Sequence, residues 1–248
     1  MAAITGNLLL DALPSAVRQE CVARSERVQV RLGEPVLRQG TPSARTFFPT
    51  SAVCSLTVGL SSGDKVEAGT VGREGLVGLA FLDARGLCPF SAMVLMPGEG
   101  LMVGQDILSG LLDRLPDLRR EILVYAGFTM SAVGRAAACN AYHSISQRLA
   151  RWLLMMHDRS GSERLALTHE LLSQMLAATR PRVSLAAGRL RKDGIIAYHR
   201  GQVQLLDRKR LEALACECYE SNRNDQQTLP WVSFSRAPVV AIASAARA

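Results

Sequence analysis

Between Thr179 and Lys192 the chain reads TRPRVSLAAGRLRK, five cations and no acid in one short run. Guanidinium and ammonium groups at this density suit bonding to phosphate oxygens and to the acceptor edge of guanine. Arg180, Arg182, Arg189, Arg191 and Lys192 carry the charge, while Val183, Ala187 and Leu190 recur at the spacing of a buried helical face. Thr179 is placed to cap this helix, and Pro181 is tolerated in a first turn, where its missing amide would have no partner. Upstream, Thr168 is placed to cap a shorter helix with Glu170 in its opening turn and Leu171, Leu172, Met175 and Leu176 on one face. The break between the two falls at Ala177 and Ala178. A helix, a tight turn and a basic helix can present the second helix to a DNA major groove.

A hairpin comes next. Gly194, Ile195 and Ile196 end the basic helix and open a strand, and Tyr198-His199-Arg200-Gly201-Gln202 turns into Val203-Gln204-Leu205-Leu206. Thr168 to Ile196, with this hairpin and with LEALACECY (residues 211–219) after it, resembles the winged helix-turn-helix half of the cyclic-AMP receptor protein and fumarate-nitrate regulator (Crp/Fnr) superfamily. The resemblance implies a transcriptional regulator that binds double-stranded DNA. Arg180 and Arg182 are expected at base edges, and Thr168, His169, Ser184, Arg189, Arg191, Lys192 and Arg200 near phosphates. Pro181, Arg182 and Leu185 depart from the branch that reads the best-known operator, and Ala177 stands where Gly is usual in the turn. The docking mode should carry over, but the base sequence should not.

The rest of the chain must position this reader. With 248 residues, 48% of them hydrophobic, there is material for two domains with real cores. The net charge of +7 is unevenly spread: residues 1–140 hold 13 Lys and Arg against 13 Asp and Glu, and residues 141–224 hold 14 against 8. A neutral front and a basic back fit a sensor or scaffold joined to a polyanion binder. No uncharged run of eighteen apolar residues predicts a membrane span, and MAAITGNLLLDALP lacks the basic start of a secretory signal, so a cytoplasmic protein is expected.

From Arg27 to Val103, short apolar or alternating pieces (Val28–Leu32, Pro35–Leu37, Thr46–Phe48, Val53–Leu60, Lys65–Val71, Ala92–Met96, Gly100–Val103) are divided by Gly and Pro turns. This punctuation predicts a closed β-roll or barrel. Leu32-Gly33-Glu34, Gln39-Gly40 and Phe47 to Ser51 are similar to the cyclic-nucleotide-binding fold of the same superfamily. The implied architecture is α+β: a β-roll over residues 1–115, a dimerisation helix over 116–138, a winged helix-turn-helix over 139–222 and a mobile tail over 223–248.

In relatives that bind a cyclic nucleotide, a Gly-Glu pair holds the ribose and an Arg neutralises the phosphate. The matching stretch here, Gly75 to Leu79 and Pro89 to Ala92, has Leu76 in place of the Glu and Phe90 in place of the Arg. An effector pocket at Gly75, Leu76, Val77, Gly78, Phe90 and Ser91 is therefore expected not to answer to cyclic AMP. The alternative is a regulator gated through the roll by another small molecule or a redox signal. Beside DNA, the partners implied are a second copy of the chain, RNA polymerase and an unidentified effector, with no membrane.

The four histidines all come after residue 140, so the roll supplies no His to a metal or haem, and no nucleophile elbow, Walker loop or dinucleotide fingerprint is present. No enzyme, cofactor or metal site is expected. The six cysteines contain no C-x-x-C pair. Cys216 and Cys218, one residue apart, would point roughly 200° apart on a helix, and all six are expected as reduced, unconnected thiols.

From Pro116 the pattern becomes helical. Leu118, Ile122, Tyr125, Thr129, Ala132 and Ala136 step by 4, 3, 4, 3 and 4, a heptad seam expected to join two chains. Cys139-Asn140-Ala141 is the expected hinge. A further helix buries Ile145, Leu149, Trp152, Leu153 and Met156, with Gln147, Arg148 and Arg151 on its other side. Past Asn222 no period is evident, although Trp231, Val232 and Phe234 could dock.

Overall fold

The computed structural model describes residues 4–80, 85–162, 164–199 and 201–232. Seven strands occupy the predicted pieces: β1 (Glu26–Val30), β2 (Pro35–Leu37), β3 (Arg45–Pro49), β4 (Val53–Gly59), β5 (Lys65–Val71), β6 (Ser91–Met96) and β7 (Gly98–Gly104). They pair antiparallel into one sheet of order β1-β7-β3 and another of order β2-β6-β4-β5. Phe47, Phe48, Cys54, Val94, Leu101 and Val103, drawn from both sheets, are buried in one core. The apolar sides of α1 (Leu8–Ala12), α2 (Ser15–Ala23) and α3 (Gln105–Arg114) close it with Leu9, Leu10, Cys21, Leu108 and Leu111.

Pro116 opens α4 (Pro116–Tyr142), a 27-residue helix lying against β5. Here the expectation of an interchain seam is corrected. Leu118, Ile122, Tyr125, Thr129 and Ala136 are all buried within the chain itself, and Ala132 is half-buried. A 3-4 apolar spacing serves packing on a helix's own domain as well as packing on a partner. The fit is tight: a Cβ on Gly75 would stand 2.0 Å from the Tyr125 ring, so only glycine admits this helix to the roll.

The hinge is also displaced. Cys139, Asn140 and Ala141 are helical, and the chain turns at His143, extended at φ −101° and ψ 144°. Ser144 then caps α5 (Ile145–Ser160) with a reciprocal bond to Gln147. Arg148 and Arg151 do not lie on a solvated side. Residues 148–156 are buried throughout, because α5 sits between the roll and the helices of the C-terminal domain.

The predicted mobile tail is helical at its start. Residues 218–227 form α9 (Cys218–Gln227) against α4 and α5, and Leu229 and Trp231 then enter the core of the roll. Trp231 Nε1 donates to the carbonyl of Glu74 at 2.7 Å. Phe234 lies outside the described residues. The periodicity fails there because this segment is held by a few anchors on two other elements instead of by a continuous face.

A carboxyl group is buried where the domains meet. Glu67 on β5 accepts from Ser55 Oγ and from Trp152 Nε1 of α5, each at 2.8 Å. Burial pushes its pKa up to about 7, opposed by those two bonds and by the nearby Arg151 and Arg159. A carboxyl that holds its proton more tightly folded than unfolded stabilises the fold fully below its ordinary range and loses that contribution as pH rises toward about 7. Urea midpoints measured from about pH 5 to about pH 8 should therefore fall across that window, and Glu67→Gln should flatten the dependence; an equal slope in the variant would assign it to other groups.

Candidate nucleic-acid interface

The reader is built on α5. A short strand, β8 (Arg164–Ala166), leads to α6 (His169–Met175), then α7 (Arg180–Lys192), then the hairpin β9 (Ile196–His199) and β10 (Gln202–Leu205). The three strands form an antiparallel sheet of order β8-β10-β9. Thr168 caps α6 as its position predicts, accepting from the Leu171 amide at 3.1 Å. Thr179 occupies the N-cap position of α7 without a side-chain bond, and Pro181 sits in the first turn. Leu172, Met175 and Leu176 of the first helix and Val183, Ala186, Ala187 and Leu190 of the second are buried together over Leu149 and Leu153.

The turn between the helices is a Schellman closure. The Ala177 amide donates to the Gln174 carbonyl at 3.3 Å and the Ala178 amide to the Ser173 carbonyl at 3.0 Å. This places Ala177 in the left-handed region at φ 44°, among the described residues the one non-glycine with positive φ. The Leu176 carbonyl accepts from the guanidinium of Arg148 beneath it. No local pattern marks that contact, since Arg148 falls on the polar side of a helix whose polar side is buried.

With Val183, Ala186, Ala187 and Leu190 inward and about 100° of turn per residue, the outward ridge of α7 runs through Pro181, Leu185, Gly188 and Lys192. Arg182 and Arg189 flank it on one side, and Arg180, Ser184 and Arg191 on the other. Arg180, Arg182, Arg189, Arg191 and Lys192 are all exposed. Leu185, 59% exposed, is a contact residue that charge counting overlooks; an apolar side chain on such a ridge suits the thymine methyl group.

Three predicted phosphate ligands are engaged inside the domain. Thr168 is the cap, and Ser184 Oγ lies 2.9 Å from His169 Nδ1, tying α7 to α6. The His169 ring packs at 4.5 Å on Tyr198, whose hydroxyl donates to the Leu167 carbonyl at 3.0 Å. Burial, with the adjacent Arg180, pushes the imidazole pKa down, and the ring ties α6 to α7 and to the first strand of the hairpin. Arg200 lies outside the described residues.

The residues expected to line the effector pocket pack into the roll. Leu76 and Val77 are buried in the roll core, where Val77 exchanges backbone hydrogen bonds with Phe47 at 2.7 and 2.8 Å. The Gly78 carbonyl accepts from Thr46 Oγ1, the Gly75 carbonyl accepts from Asn7 Nδ2, Phe90 packs on the same core, and Ser91 Oγ accepts from the Gln39 amide. With Leu76 and Phe90 apolar, this loop lies against Tyr125 as part of the core. A cleft does open elsewhere, between β5, α4, α5 and α9.

Residues 147–214 match the Crp-like helix-turn-helix domain. No curated protein matches the chain. Among solved structures it is similar to FixK2 from Bradyrhizobium japonicum, at 17% identity and a TM-score of 0.66 over 77% of this chain and 98% of that one. It is also similar to the c-di-GMP-responsive global regulator CLP of Xanthomonas campestris, at 17% and 0.65 over 77% and 99%. A third is a crp/fnr-family transcriptional regulator from Eubacterium rectale, at 16% and 0.68 over 83% and 96%. A helix-turn-helix joined through a long helix to a β-roll is the arrangement this chain shares with these structures. The chain has the fold of Crp/Fnr-family structures, and its residues 147–214 match the Crp-like helix-turn-helix domain.

Alanine at the left-handed position of the turn is strained by about 1 kcal/mol or more, partly offset because glycine is freer when unfolded. Ala177→Gly should therefore stabilise the protein by roughly 0.5–1 kcal/mol, read as a higher urea midpoint at unchanged slope; an unchanged or lower midpoint would mean that the turn is relaxed.

Proposed function

We propose that this protein is a cytoplasmic, homodimeric, sequence-specific transcriptional regulator without enzymatic activity, and that cyclic AMP is not its effector. The observation that carries the reading is the outward ridge of α7, where five exposed cations surround Leu185 on a helix whose opposite face is buried. Arg180 and Arg182, at the N-terminal end, stand at base edges. Arg189, Arg191 and Lys192 hold phosphates, and Arg200, between the two strands of the hairpin in sequence, joins them.

The dimer reading rests on a second seam. On the side of α4 away from the roll, Leu123, Gly127, Met130, Gly134, Ala137 and Ala141 succeed each other by 4, 3, 4, 3 and 4 and are exposed. Met130 is 75% exposed and Leu123 52%. By length and composition α4 is apolar enough to cross a membrane, yet its other face packs on the roll. An apolar stripe of this kind needs a cover, and the small residues let a second α4 approach closely. Two readers then face half-sites about one helical turn apart, roughly 34 Å.

Indifference to cyclic AMP is supported by the apolar side chains of Leu76 and Phe90 and by Tyr125 packed over Gly75. The carboxylate beside them, Glu74, is already engaged by Arg159 and the Gly72 amide.

Affinity for DNA fragments selected from a genomic pool should fall steeply with salt, as several phosphate contacts require, and should not change with cyclic AMP or cyclic GMP. Arg180→Ala should cost about 1–3 kcal/mol and relax base preference, whereas Lys192→Ala should weaken all sequences alike; salt-independent binding, or equal loss on specific and random DNA for Arg180→Ala, would overturn the assignment. Met130→Arg should convert a sedimenting dimer to a monomer with the fold intact, and a monomeric parent at micromolar concentration would remove the dimer from the proposal.

A further inference from the structure

Away from the DNA-facing surface, three of the six cysteines and one histidine converge. Cys139 and His143 are one turn apart at the end of α4. Cys216 and Cys218 flank Glu217 where α8 (Arg208–Leu214) gives way to α9. The pair is not on one helix, so the divergence expected of a helical i, i+2 spacing does not arise. Cys139, Cys216 and Cys218 are buried and form a cluster of their own, apart from both apolar cores.

The geometry is that of a metal site. The four donor atoms all lie within 4.8 Å of one another. Cys139 Sγ is 3.6 Å from Cys216 Sγ, and Cys218 Sγ is 3.6 Å from His143 Nδ1. Tetrahedral zinc with Zn–S bonds of about 2.3 Å requires sulfurs about 3.8 Å apart, whereas a disulfide needs them at about 2.05 Å. His143 is oriented as a metal ligand usually is: its other nitrogen, Nε2, lies 3.1 Å from a carboxylate oxygen of Glu217. Nδ1 is thereby directed at the sulfurs. A surface groove lined by Ser131, Arg135, Tyr142, His143, Glu217 and Cys218 gives an ion a way in.

A second observation points the same way. Arg148 and Arg151 are each only 7% exposed and stand beside the cluster, and among the described residues their Nε atoms have no hydrogen-bond partner. The Arg148 bonds all go to carbonyls, those of Leu176 and Asn140. Arg151 also faces Glu67, whereas Arg148 has no carboxylate among its partners, and a buried cation needs a buried anion. Zinc held by three thiolates and one neutral imidazole carries a net charge of −1 and would supply it.

We propose that Cys139, His143, Cys216 and Cys218 bind one zinc ion tetrahedrally, and that the ion fastens the end of α4 to the DNA-binding domain across the turn at residues 143–144. Each thiol releases its proton to solvent as its Zn–S bond forms, so no redox partner is needed.

The test uses the full-length protein, purified under reducing conditions without chelator. Metal analysis should give one zinc per chain, and exchange into cobalt(II) should give the visible bands of tetrahedral thiolate ligation. Cys139→Ser and Cys216→Ser should each remove the metal. Should those variants not fold, Glu217→Gln, altered at an exposed side chain, should keep the fold and weaken zinc in a chelator competition by about 10- to 100-fold. Failure to take up zinc on reconstitution, full retention in a Cys216→Ser/Cys218→Ser double variant, unchanged affinity in Glu217→Gln, or a disulfide within the cluster by mass spectrometry would each overturn the proposal. Metal content is read without DNA, so its failure would leave the regulator reading standing.

Discussion

Everything in this chain is arranged around the burial of α5. A helix buried on all sides is ordinarily apolar on all sides, yet α5 carries Arg148, Arg151 and Arg159 into that environment. A guanidinium cannot shed its charge, so each must find oxygen or an anion inside the protein. Arg159 reaches Glu74 of the roll at 3.0 Å, in a pair with both side chains under a tenth exposed. Arg148 reaches the Leu176 carbonyl, at the turn of the helix-turn-helix, and Arg151 faces Glu67 and the sulfur cluster. The three cations thereby fix the relative positions of the roll, the reading head and the hinge.

This explains why the turn at Ala177 holds a left-handed alanine. The Schellman bonds satisfy the carbonyls of Ser173 and Gln174, and the buried carbonyl of Leu176 takes its donor from Arg148. An unsatisfied buried carbonyl costs on the order of 1–3 kcal/mol, comparable with the strain at Ala177. The arginine and the strained turn are thus one unit, and α7 leaves it at the angle that keeps Val183 and Leu190 inside and its cations outside.

How much of this is legible in the sequence depends on where each signal is local. The strands of the roll are marked by period-two alternation and by Gly or Pro between them, and Thr168 and the reading helices by caps and three-four spacing; these are near-neighbour effects. The seam on α4 reads correctly as apolar and wrongly as interchain, since spacing reports a face and not what covers it. An amphipathic pattern puts Arg148 and Arg151 in solvent because a charged residue normally lies there, and only the second layer of packing removes the water. Cys139 and Cys216 are 77 residues apart, and Trp231 and Glu74 are 157 apart. Contacts at such separations leave no periodic trace. Ser184 and His169 resemble phosphate ligands for the same reason, their bond being visible only once α6 and α7 cross.

The links between domains also decide which motion the molecule resists. Across residues 143–144 the end of α4 is joined to the segment after α8 by the ion pair between Arg135 and Asp225 and by the juxtaposition of Cys139 and His143 with Cys216 and Cys218. The roll meets the C-terminal part of the chain through Glu67 and Trp152, through Ser55 and Met175, and through Glu74 with Arg159 and Trp231. In the contact at Glu67, burial pushes the carboxyl pKa up to about 7. It sits on β5, the strand that touches both α4 and α6. Its own bonds run to Trp152 of α5 and to Ser55, whose hydroxyl also lies against Met175 of α6.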